Sequence, residues 1–568
     1  MAEPIQMTPD ASGRLTHRQI MLILSGLLLG MFLAALDQTI VSAAMRTIAD
    51  RLNGQTNQAW ATTAYLVTST VSTPLYGKLS DMYGRKKFYL FAISIFLVGS
   101  ALSGMANSMI ELAGFRAIQG LGAGGLMALA FAIIADIVPP RERAKYQGFF
   151  MAVFGLSSVA GPVLGGLLAG QNTLLGVDGW RWVFYVNLPI GILALAVVSK
   201  FLNLPHTRKD HRIDYLGAAM LVLGVTSLLL VAEQGRDWGW GSARSILCYV
   251  VGASLIAAFV AVEKRLGDEA ILPLKMFRHP VFSVASLLNF IIGMGMFGGI
   301  ICLPLYMQIV KGFSPTKSGL SLLPLMLGLM TVAMISGIVT SKTGRYKFFP
   351  IVGTALLIIA LLGLSRISAS TSYLHLVPLM ALVGAGLGCC MQTLVLATQN
   401  SVPASQMGVA TASATFFRSM GGTFGTALFL TVFFSASATK VGTNVTAAAN
   451  TPEFQTALRD PNNSVIAGAI KAMSTGSTSQ LNDTSFLQHG AAVLRDPFLN
   501  GFASAMDRVF LLAAIVVIPA FILSFFLKEV KLRTESGLQA QANEANEANE
   551  RARRLAEEQA KTEGVSIP

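Results

Sequence analysis

Two side chains of opposite charge stand inside long apolar segments of this sequence, Asp37 in segment 20–44 and Arg116 in segment 110–134. Asp37 lies near the end of its segment and Arg116 near the start of its own, so at 1.5 Å per helical residue both are roughly 10 Å below the same surface. How readily a buried carboxyl group binds a proton depends on its access to water and on the distance to a cation. The pair therefore predicts a site that loads and unloads a proton, and a static ion pair that fixes helix packing is the alternative.

A third charge, Arg418, falls near the middle of the apolar segment 407–435. A cation at that depth is costly, which makes a specific role the default interpretation. The sequence leaves two roles open for Arg418: it is a structural partner of another polar group, or it takes part in the same proton coupling.

A short basic turn follows the second apolar segment, at residues 77–87, and recurs in weaker form at residues 337–347. Asp81 stands just before the third segment and Arg85 at its start, so the two charges could form a cluster between helices that holds this end of the molecule closed. Orientation of the chain by positive charge is the simpler explanation of the basic residues, but it does not explain the acid. Ser341 replaces the acid in the second copy, so any such closing contact is asymmetric.

Glycine and proline mark the other positions at which gating is predicted. Gly77 and Gly84 flank the acid of the basic turn, where helices must turn or approach closely. Gly161 and Pro162 stand in the fifth apolar segment, where the pair permits close packing and a bend. Both residue types are common in membrane helices, so this second pair alone says little.

The sequence argues against an enzyme and against a nucleic-acid partner. Neither a metal-ligand spacing nor a nucleophile with its base stands out, so no catalytic residue, metal site or cofactor is predicted. Residues 120–125 match the glycine pattern of dinucleotide-binding loops, but they lie inside an apolar helix, where small residues let helices approach each other. The net charge of +13 is carried by short connections between apolar segments, which is typical of membrane orientation.

Composition indicates the class of fold. Of the 568 residues, 53% are hydrophobic and 12% are charged, and the mean hydropathy is +0.60, which is too apolar for a soluble protein of this size. Stretches of roughly 20 apolar residues are long enough to cross a bilayer as helices. The sequence therefore predicts an all-α membrane protein with fourteen transmembrane helices. These are predicted at 20–44, 58–77, 88–106, 110–134, 146–170, 182–201, 214–232, 245–262, 281–303, 317–340, 348–368, 374–397, 407–435 and 506–527.

The loop charges and the internal repeat predict how these helices are arranged. Lysine and arginine are concentrated in alternate connections, which places those connections and both termini in the cytoplasm. The basic turn recurs eight helices later, which indicates two six-helix bundles with two helices inserted between them. Residues 437–504 are then an external surface loop, and the C-terminal tail is a charged, solvated helix. The predicted units are a cytoplasmic N-terminus at 1–19, an N-terminal six-helix bundle at 20–201, a linker with helices 7 and 8 at 202–280, a C-terminal six-helix bundle at 281–527 and a cytoplasmic tail at 528–568.

Five motifs, in order, give the sequence a resemblance to a known family. They are the basic turn, Leu36-Asp37-Gln-Thr-Ile-Val, Arg116-Ala-Ile-Gln119-Gly120, Gly161-Pro162-Val-Leu-Gly165-Gly166 and the stretch from Trp180 to Gly191. From about residue 15 to 530 the chain resembles the fourteen-span drug:proton antiporter family of the major facilitator superfamily. The resemblance implies a major-facilitator-type fold and proton-driven export of amphipathic, often cationic, compounds. It also implies that Gly161 and Pro162 belong to an antiporter-type seal.

Aromatic, methionine and amide residues in the apolar segments are candidates for a substrate cavity. Methionine-rich surfaces adapt to varied ligands, which suits a pocket of broad specificity, whereas packing or lipid contact is the alternative for each residue. The candidates are Met31, Tyr65, Phe154, Asn289, Phe297, Tyr306, Gln308, Gln392 and Phe417.

Together, the residues and the resemblance predict a proton-coupled antiporter of the cell membrane that exports amphipathic small molecules, a multidrug efflux function. Its partners would be protons, membrane lipid and lipophilic, including cationic, small molecules, with a proton gradient in place of a cofactor, and it would act as a monomer. A dedicated exporter of one endogenous metabolite, siderophore, antibiotic or lipid is the alternative, because the same scaffold would perform that task.

Overall fold

Helices make up nearly all of the structure. The computed structural model describes residues 15–52, 58–140, 142–204, 214–403, 406–474, 487, 490–540, 543 and 550–551. A two-residue antiparallel hairpin, β1 (Thr173–Leu174) with β2 (Val177–Asp178), precedes α6. The helices are α1 (His17–Arg51), α2 (Gln58–Tyr83), α3 (Arg85–Met105), α4 (Met109–Ile137), α5 (Ala144–Ala169), α6 (Trp182–Tyr185), α7 (Asn187–Phe201), α8 (Tyr215–Trp238), α9 (Ala243–Leu266), α10 (Pro280–Ile309), α11 (Pro315–Leu320), α12 (Leu323–Thr343), α13 (Phe348–Leu364), α14 (Tyr373–Asn400), α15 (Met407–Ala448), α16 (Pro452–Arg459), α17 (Ser464–Ser474) and α18 (Ala492–Phe526).

Within the described residues, eleven helices are long and apolar enough to cross a membrane. Two further apolar helices, Pro280–Met296 and Phe348–Leu364, are shorter, and α2 covers the remaining segment that hydropathy predicts. The prediction of an all-helical, multi-pass membrane protein is confirmed. The count of fourteen crossings, with both termini in the cytoplasm, stays a prediction.

The two helices that carry the intramembrane charge pair begin at N-caps supplied by the sequence. Before α1, Thr16 accepts a hydrogen bond from the Gln19 N–H (3.4 Å), and the Gln19 side chain accepts one from the Thr16 N–H (2.8 Å). Before α4, the Ser108 hydroxyl accepts from the Glu111 N–H (3.2 Å), and the acid lies in the first turn. Such caps satisfy backbone donors that a helix start leaves free.

The helices pack into two groups. In the first bundle, α4 packs against α2 and α3, while α1 packs against α5, α7 and α4. In the second bundle, α14 packs against α12 and α13, while α10 packs against α15 and α18. The helices α8 and α9 pack on each other, and α8 also contacts α2 and α15. The largest hydrophobic core contains residues of both bundles.

The bundles meet along two seams, where α15 packs on α2 and α4, and where α5 packs on α12 and α11. At the first seam Gly77 allows close approach, because a Cβ there would collide with Ala412 and lie 3.0 Å from the Gly408 carbonyl oxygen. At the second seam a Cβ on Gly319 would lie 3.0 Å from Pro162 Cγ. We call the end of the molecule that carries the basic turn the inner end, since its charge predicts that it faces the cytoplasm.

Residues 437–504 differ from their prediction as a surface loop. The helix α15 continues to Ala448, α16 and α17 follow, and α18 begins at Ala492. The helices α15 and α18 pack on each other beyond the predicted spans. Their contact there is close, since a Cβ on Gly501 would lie 2.6 Å from Val441 Cγ2. A hydropathy window overlooks such helices, because the threonine, serine and asparagine on their exposed faces lower the mean.

The start of the tail also differs from its prediction as a solvated helix. The helix α18 ends at Phe526, and residues 527–536 form no helix. Leu527 and Leu532 are buried, and a helical turn begins only at Gly537. Buried leucines hold this segment against the protein, so it is part of the fold.

Candidate functional site

Asp37 of α1 and Arg116 of α4 are in direct contact. Arg116 Nη1 donates a hydrogen bond to Asp37 Oδ2, and the two side chains are 2% and 0% exposed, respectively. A buried ion pair persists only when further hydrogen bonds satisfy both groups, and removal of one partner costs about 3–5 kcal/mol. The surroundings of this pair therefore matter as much as the pair itself.

Three further polar side chains complete the site, and sequence reasoning gave none of them a role. Gln119, one turn after Arg116, donates from Nε2 to Asp37 Oδ1 (2.8 Å) and accepts on Oε1 from Arg116 Nη1 (2.8 Å). Asn187, at the start of α7, donates from Nδ2 to Asp37 Oδ1 (2.9 Å) and to Ser100 Oγ of α3 (3.0 Å). Two features of the sequence could have indicated these residues: an amide one helical turn after an intramembrane arginine, and another amide at the start of an apolar helix.

Tyr65 of α2 covers the guanidinium group. Arg116 Cζ lies 4.0 Å from the centre of the Tyr65 ring, a cation–π contact at a buried position. The helices α2 and α4 approach closely here because Gly120 has no side chain; a Cβ on Gly120 would lie 3.0 Å from Tyr65 Cα. The glycine at position 120 thus serves helix packing and places the aromatic ring on the cation.

Two buried polar atoms of this site, Arg116 Nε and Asn187 Oδ1, have no hydrogen-bond partner among the described residues. Buried polar atoms without a partner are costly, so each of them in a native structure calls for an explanation. The free Asn187 oxygen is a hydrogen-bond acceptor on a side chain that already contacts Asp37. The site therefore contains, on a side chain that contacts the carboxyl group, a hydrogen-bond acceptor that is not in use.

At the inner end, Asp81 and Arg85 form a charge cluster that reaches the second bundle. Asp81 Oδ1 lies 2.5 Å from Arg85 Nη2, and Asp81 Oδ2 accepts from the Val409 N–H (3.0 Å) in the first turn of α15, where free N–H groups favour an anion. Arg85 Nε also pairs with Asp136 Oδ2 of α4 (2.7 Å), an acid that sequence reasoning missed. Gly84 separates α2 from α3 at a φ of +102°, which L side chains rarely adopt. We call this cluster the inner gate, and its gating role stays a prediction.

A second contact between the bundles lies beside the inner gate. Arg143, just before α5, donates from Nη1 to Gln399 Oε1 of α14, and Gln399 Nε2 donates to Thr411 Oγ1 of α15 (2.9 Å). Arg143 Nε and Nη2 donate to the carbonyl oxygens of Val138 (2.9 Å) and Ala135 (2.8 Å). Burial lowers the pKa of Arg143 to about 9, so its guanidinium keeps its charge at neutral pH.

The predicted seal residues have separate neighbours. A Cβ on Gly161 would collide with Thr39 of α1, so this glycine serves packing inside the first bundle. Pro162 contacts α11 of the second bundle at Gly319. The pair thus links α1 to the second seam, and its role as a seal stays a prediction.

Arg418 lies on α15 against α10, where its backbone carbonyl meets Gly293. Its side chain is partly exposed, and within the described part of the chain it makes no hydrogen bond or ion pair. A structural role for Arg418 would need a polar partner, and no acid among the described residues pairs with it. The coupling role of Arg418 stays a prediction.

Two of the predicted cavity residues, Tyr306 of α10 and Phe417 of α15, have contacts near opposite ends of α10. Tyr306 donates from Oη to the Ser368 carbonyl oxygen (2.8 Å), in the connection between α13 and α14. The Phe417 ring packs edge-on against the Phe277 ring, with ring centres 6.1 Å apart. Phe277 belongs to the short helix Leu274–Arg278, which precedes α10. These contacts lie near opposite ends of α10, so the structure does not bring Tyr306 and Phe417 together.

The other cavity candidates have varied surroundings, and their role in binding stays a prediction. Asn289 Nδ2 donates to the Ala285 carbonyl oxygen of its own helix (2.9 Å), and the exposed Gln308 reaches Ser318 Oγ at 3.5 Å. Tyr65 is the candidate that contacts the charge pair. The remainder are the buried Met31 and Gln392, the partly exposed Phe154, and Phe297, whose side chain lies outside the described part of the chain.

Two bundles of apolar helices that meet at seams, with an ion pair buried in one of them, define a multi-pass membrane transporter. Residues 27–426 match the Major Facilitator Superfamily, and the chain belongs to this superfamily. Its members are transporters rather than enzymes.

Comparisons with individual proteins agree with this family assignment. The multidrug transporter protein MdtP of Bacillus subtilis (strain 168) is 33% identical, with 92% of this chain and 96% of the relative covered. The acurin A biosynthesis cluster MFS-type transporter of Aspergillus aculeatus is 35% identical, covering 71% of this chain and 73% of the relative. The solved structure of the proton:xylose symporter XylE shares the fold with a TM-score of 0.58 at 15% identity, over 92% of this chain and 99% of that chain. The resemblance to the superfamily and the fold class are confirmed.

Proposed function

We propose that this protein is an antiporter that exports amphipathic small molecules in exchange for protons, and that it catalyses no chemical reaction. Export is supported by similarity to a relative named as a multidrug transporter. Proton exchange is supported above all by one observation, the fully buried Asp37 carboxyl group and the donors around it. The substrates are lipophilic, including cationic, molecules, and the protein works as a monomer in lipid.

The hydrogen bonds of Asp37 suit a carboxylate and not a carboxylic acid. Oδ2 accepts from Arg116, and Oδ1 accepts from Gln119 and Asn187. A protonated carboxyl group is neutral and carries an O–H donor that needs an acceptor of its own. Binding of a proton therefore removes the charge that Arg116 pairs with and weakens the hold of α1 on α4.

Asn187 provides a route for this change. Turning its amide group would replace the N–H donor by the free Oδ1 acceptor, which can receive the O–H of protonated Asp37. The same turn removes the donor that Ser100 Oγ of α3 now accepts. Proton binding thereby changes the packing of α3 and α7 on α1, and a local charge becomes a movement of helices.

Export also requires the inner end to open so that substrate can enter from the cytoplasm. The inner gate and the Arg143–Gln399 contact join the two bundles at that end. In the proposed cycle a proton binds Asp37 while the inner end is closed and leaves after it opens. Each returning proton supplies about 1.4 kcal/mol per pH unit and about 2.3 kcal/mol per 100 mV.

Transport by purified protein in lipid vesicles tests the proposal. An imposed pH gradient should drive movement of a fluorescent lipophilic cation such as ethidium, and Asp37→Asn should abolish it, because an amide cannot carry the proton. Asp178→Asn is the matched control, since this acid is 47% exposed and pairs with Arg181 outside the spans. Normal gradient-driven transport by Asp37→Asn would exclude Asp37 as the essential proton carrier.

A dedicated exporter of one endogenous metabolite, siderophore, antibiotic or lipid is the second candidate. It is favoured by similarity to the acurin A cluster transporter. A panel of unrelated lipophilic compounds distinguishes the two, because multidrug export expects several of them to move protons. If none does, and a deletion strain fails to release one metabolite, the dedicated function is correct.

A further inference from the structure

After α18 the chain crosses the inner end of the molecule. We call residues 527–540 the strap. Leu527 and Leu532 in the strap are 0% and 2% exposed, and Leu538 packs against the largest hydrophobic core. Each buried leucine contributes about 1.5–3 kcal/mol relative to an exposed one. The strap is therefore held firmly enough to matter for how the inner end moves.

Tyr346, between α12 and α13, holds the beginning of the strap. Its hydroxyl group donates to the Lys528 carbonyl oxygen (3.0 Å) and accepts from the Val530 N–H (3.1 Å). Its backbone N–H donates to Glu529 Oε1 (3.1 Å). Because two of these bonds are made to the backbone of the strap, they fix its path after α18.

Asn400, at the end of α14, holds the middle of the strap in the same way. Its Nδ2 donates to the Lys531 carbonyl oxygen (3.1 Å), and its Oδ1 accepts from the Arg533 N–H (3.2 Å). Arg533 Nη2 in turn donates to the Val402 carbonyl oxygen (2.6 Å), in the connection before α15. The strap is thus tied at two places to the second bundle.

The strap ends against the first bundle. Gly537 packs against α4, since a Cβ on Gly537 would lie 2.9 Å from Asp136 Cα and 3.0 Å from Asp136 Oδ1. Asp136 is the acid that pairs with Arg85 of the inner gate. The neighbouring Ala135 carbonyl oxygen accepts from Arg143. The strap therefore reaches the residues at which the two bundles are joined.

We propose that the strap locks the inner end in its closed state. It is tied to the second bundle at Tyr346 and Asn400, so separation of the bundles must pull Gly537 away from Asp136. The contact is lost only on opening, and it therefore favours the closed state. A partner or modification that detaches the strap would shift the protein toward the open state. The inference rests on the proposed function in one respect, that the bundles separate at the inner end during export.

Distances between spin labels on the two bundles test the lock. With the native cysteines replaced, Lys87→Cys in α3 and Lys342→Cys in α12 place labels at exposed inner positions of the first and second bundle. Gly537→Leu should expel the strap from α4 and raise the population with the longer separation several-fold. A chain that ends at residue 526, the last residue of α18, should do the same, because it lacks the strap.

Two controls separate the contact from general damage. Thr534→Leu adds similar bulk at an exposed position of the strap, and a chain that ends at residue 540 keeps the strap while losing the rest of the tail. Both should keep the parent distances. If Gly537→Leu is folded and keeps the parent distances, the lock does not exist, whatever the truncated chain does. The measurement uses neither substrate nor pH gradient, so its result is independent of proton coupling.

Discussion

At the scale of single residues, the chemistry of the molecule centres on the Asp37 carboxyl group. Its oxygens accept hydrogen bonds from Arg116 and Gln119 of α4 and from Asn187 of α7. Burial makes each charge of the pair dependent on the other, because a charge without its partner in apolar surroundings is strongly unfavourable. In the proposed exchange, a proton that binds Asp37 removes one charge of the pair and so changes how the helices are held.

This dependence predicts a non-additive effect on stability. Arg116→Gln should lower the free energy of unfolding by about 3–5 kcal/mol, because Asp37 keeps its buried position without a cation. Adding Asp37→Asn to that variant should restore part of the loss, since no buried charge then lacks a partner. Thermal unfolding of the single and double variants in detergent measures both effects. Simple addition of the two single losses would mean that the charges do not act as a pair.

The sequence predicted the charged members of this site but not the uncharged ones. Asp37 and Arg116 are conspicuous because charges inside apolar segments are rare. Gln119 and Asn187 carry no charge, and a sequence does not show which helices will bring their amides to one carboxyl group. The free Asn187 oxygen, on which the proposed proton exchange depends, could be recognised only from the packed helices.

At the scale of elements, α15 links the two bundles. Its first turn donates the Val409 N–H to Asp81, and Gly408 and Ala412, in its first two turns, lie against Gly77 of α2. A carboxylate at a helix N-terminus is stabilised by the free N–H groups and by the helix dipole. Separation of α15 from α2 would leave the Val409 N–H without its acceptor and take one donor from the Asp81 carboxylate, so the contact favours a closed inner end.

Asp81→Asn should therefore shift the resting protein toward a state open at the inner end. The buried Ala414→Cys on α15, in a protein without native cysteines, should then react several-fold faster with a thiol reagent applied from the inner side. Ser341→Ala is the matched control, since it changes the corresponding position of the second copy of the basic turn. Equal labelling rates in the parent and in Asp81→Asn would leave Asp81 without a gating role.

Hydropathy predicted the positions of the membrane helices better than their ends. The span predicted at 407–435 continues to Ala448, because Val441 and Val445 bury one face while threonine and asparagine cover the other. The strap gave no periodic signal, because it is fixed by hydrogen bonds from Tyr346 and Asn400 to its backbone. Backbone contacts of this kind leave almost no trace in the sequence.

At the scale of the whole molecule, the two bundles are unequal in their chemistry. The first carries the buried ion pair and the acid of the inner gate, while the second has Ser341 at the position that corresponds to the acid. The bundles are joined at the inner end by Asp81 with Val409 and by Arg143 with Gln399. In the proposed cycle, loading of a proton in the first bundle acts on contacts that the second bundle shares.

This arrangement depends on the predicted orientation in the membrane. Reporter fusions at residues 86 and 209 should show a cytoplasmic location, because lysine and arginine are concentrated in these connections. A fusion near residue 470, in α17, should show an external location. A cytoplasmic result at residue 470 would mean that the count of fourteen crossings is wrong.

The central claim is that substrate and proton move in opposite directions and only together. The most direct measurement places the protein in vesicles with a pH indicator inside and no initial pH gradient, and then imposes a gradient of a transported lipophilic compound. The account predicts that protons move against the direction of the compound, and that Asp37→Asn vesicles show neither signal. Movement of the compound without protons, or movement that requires ATP or sodium, would contradict the account.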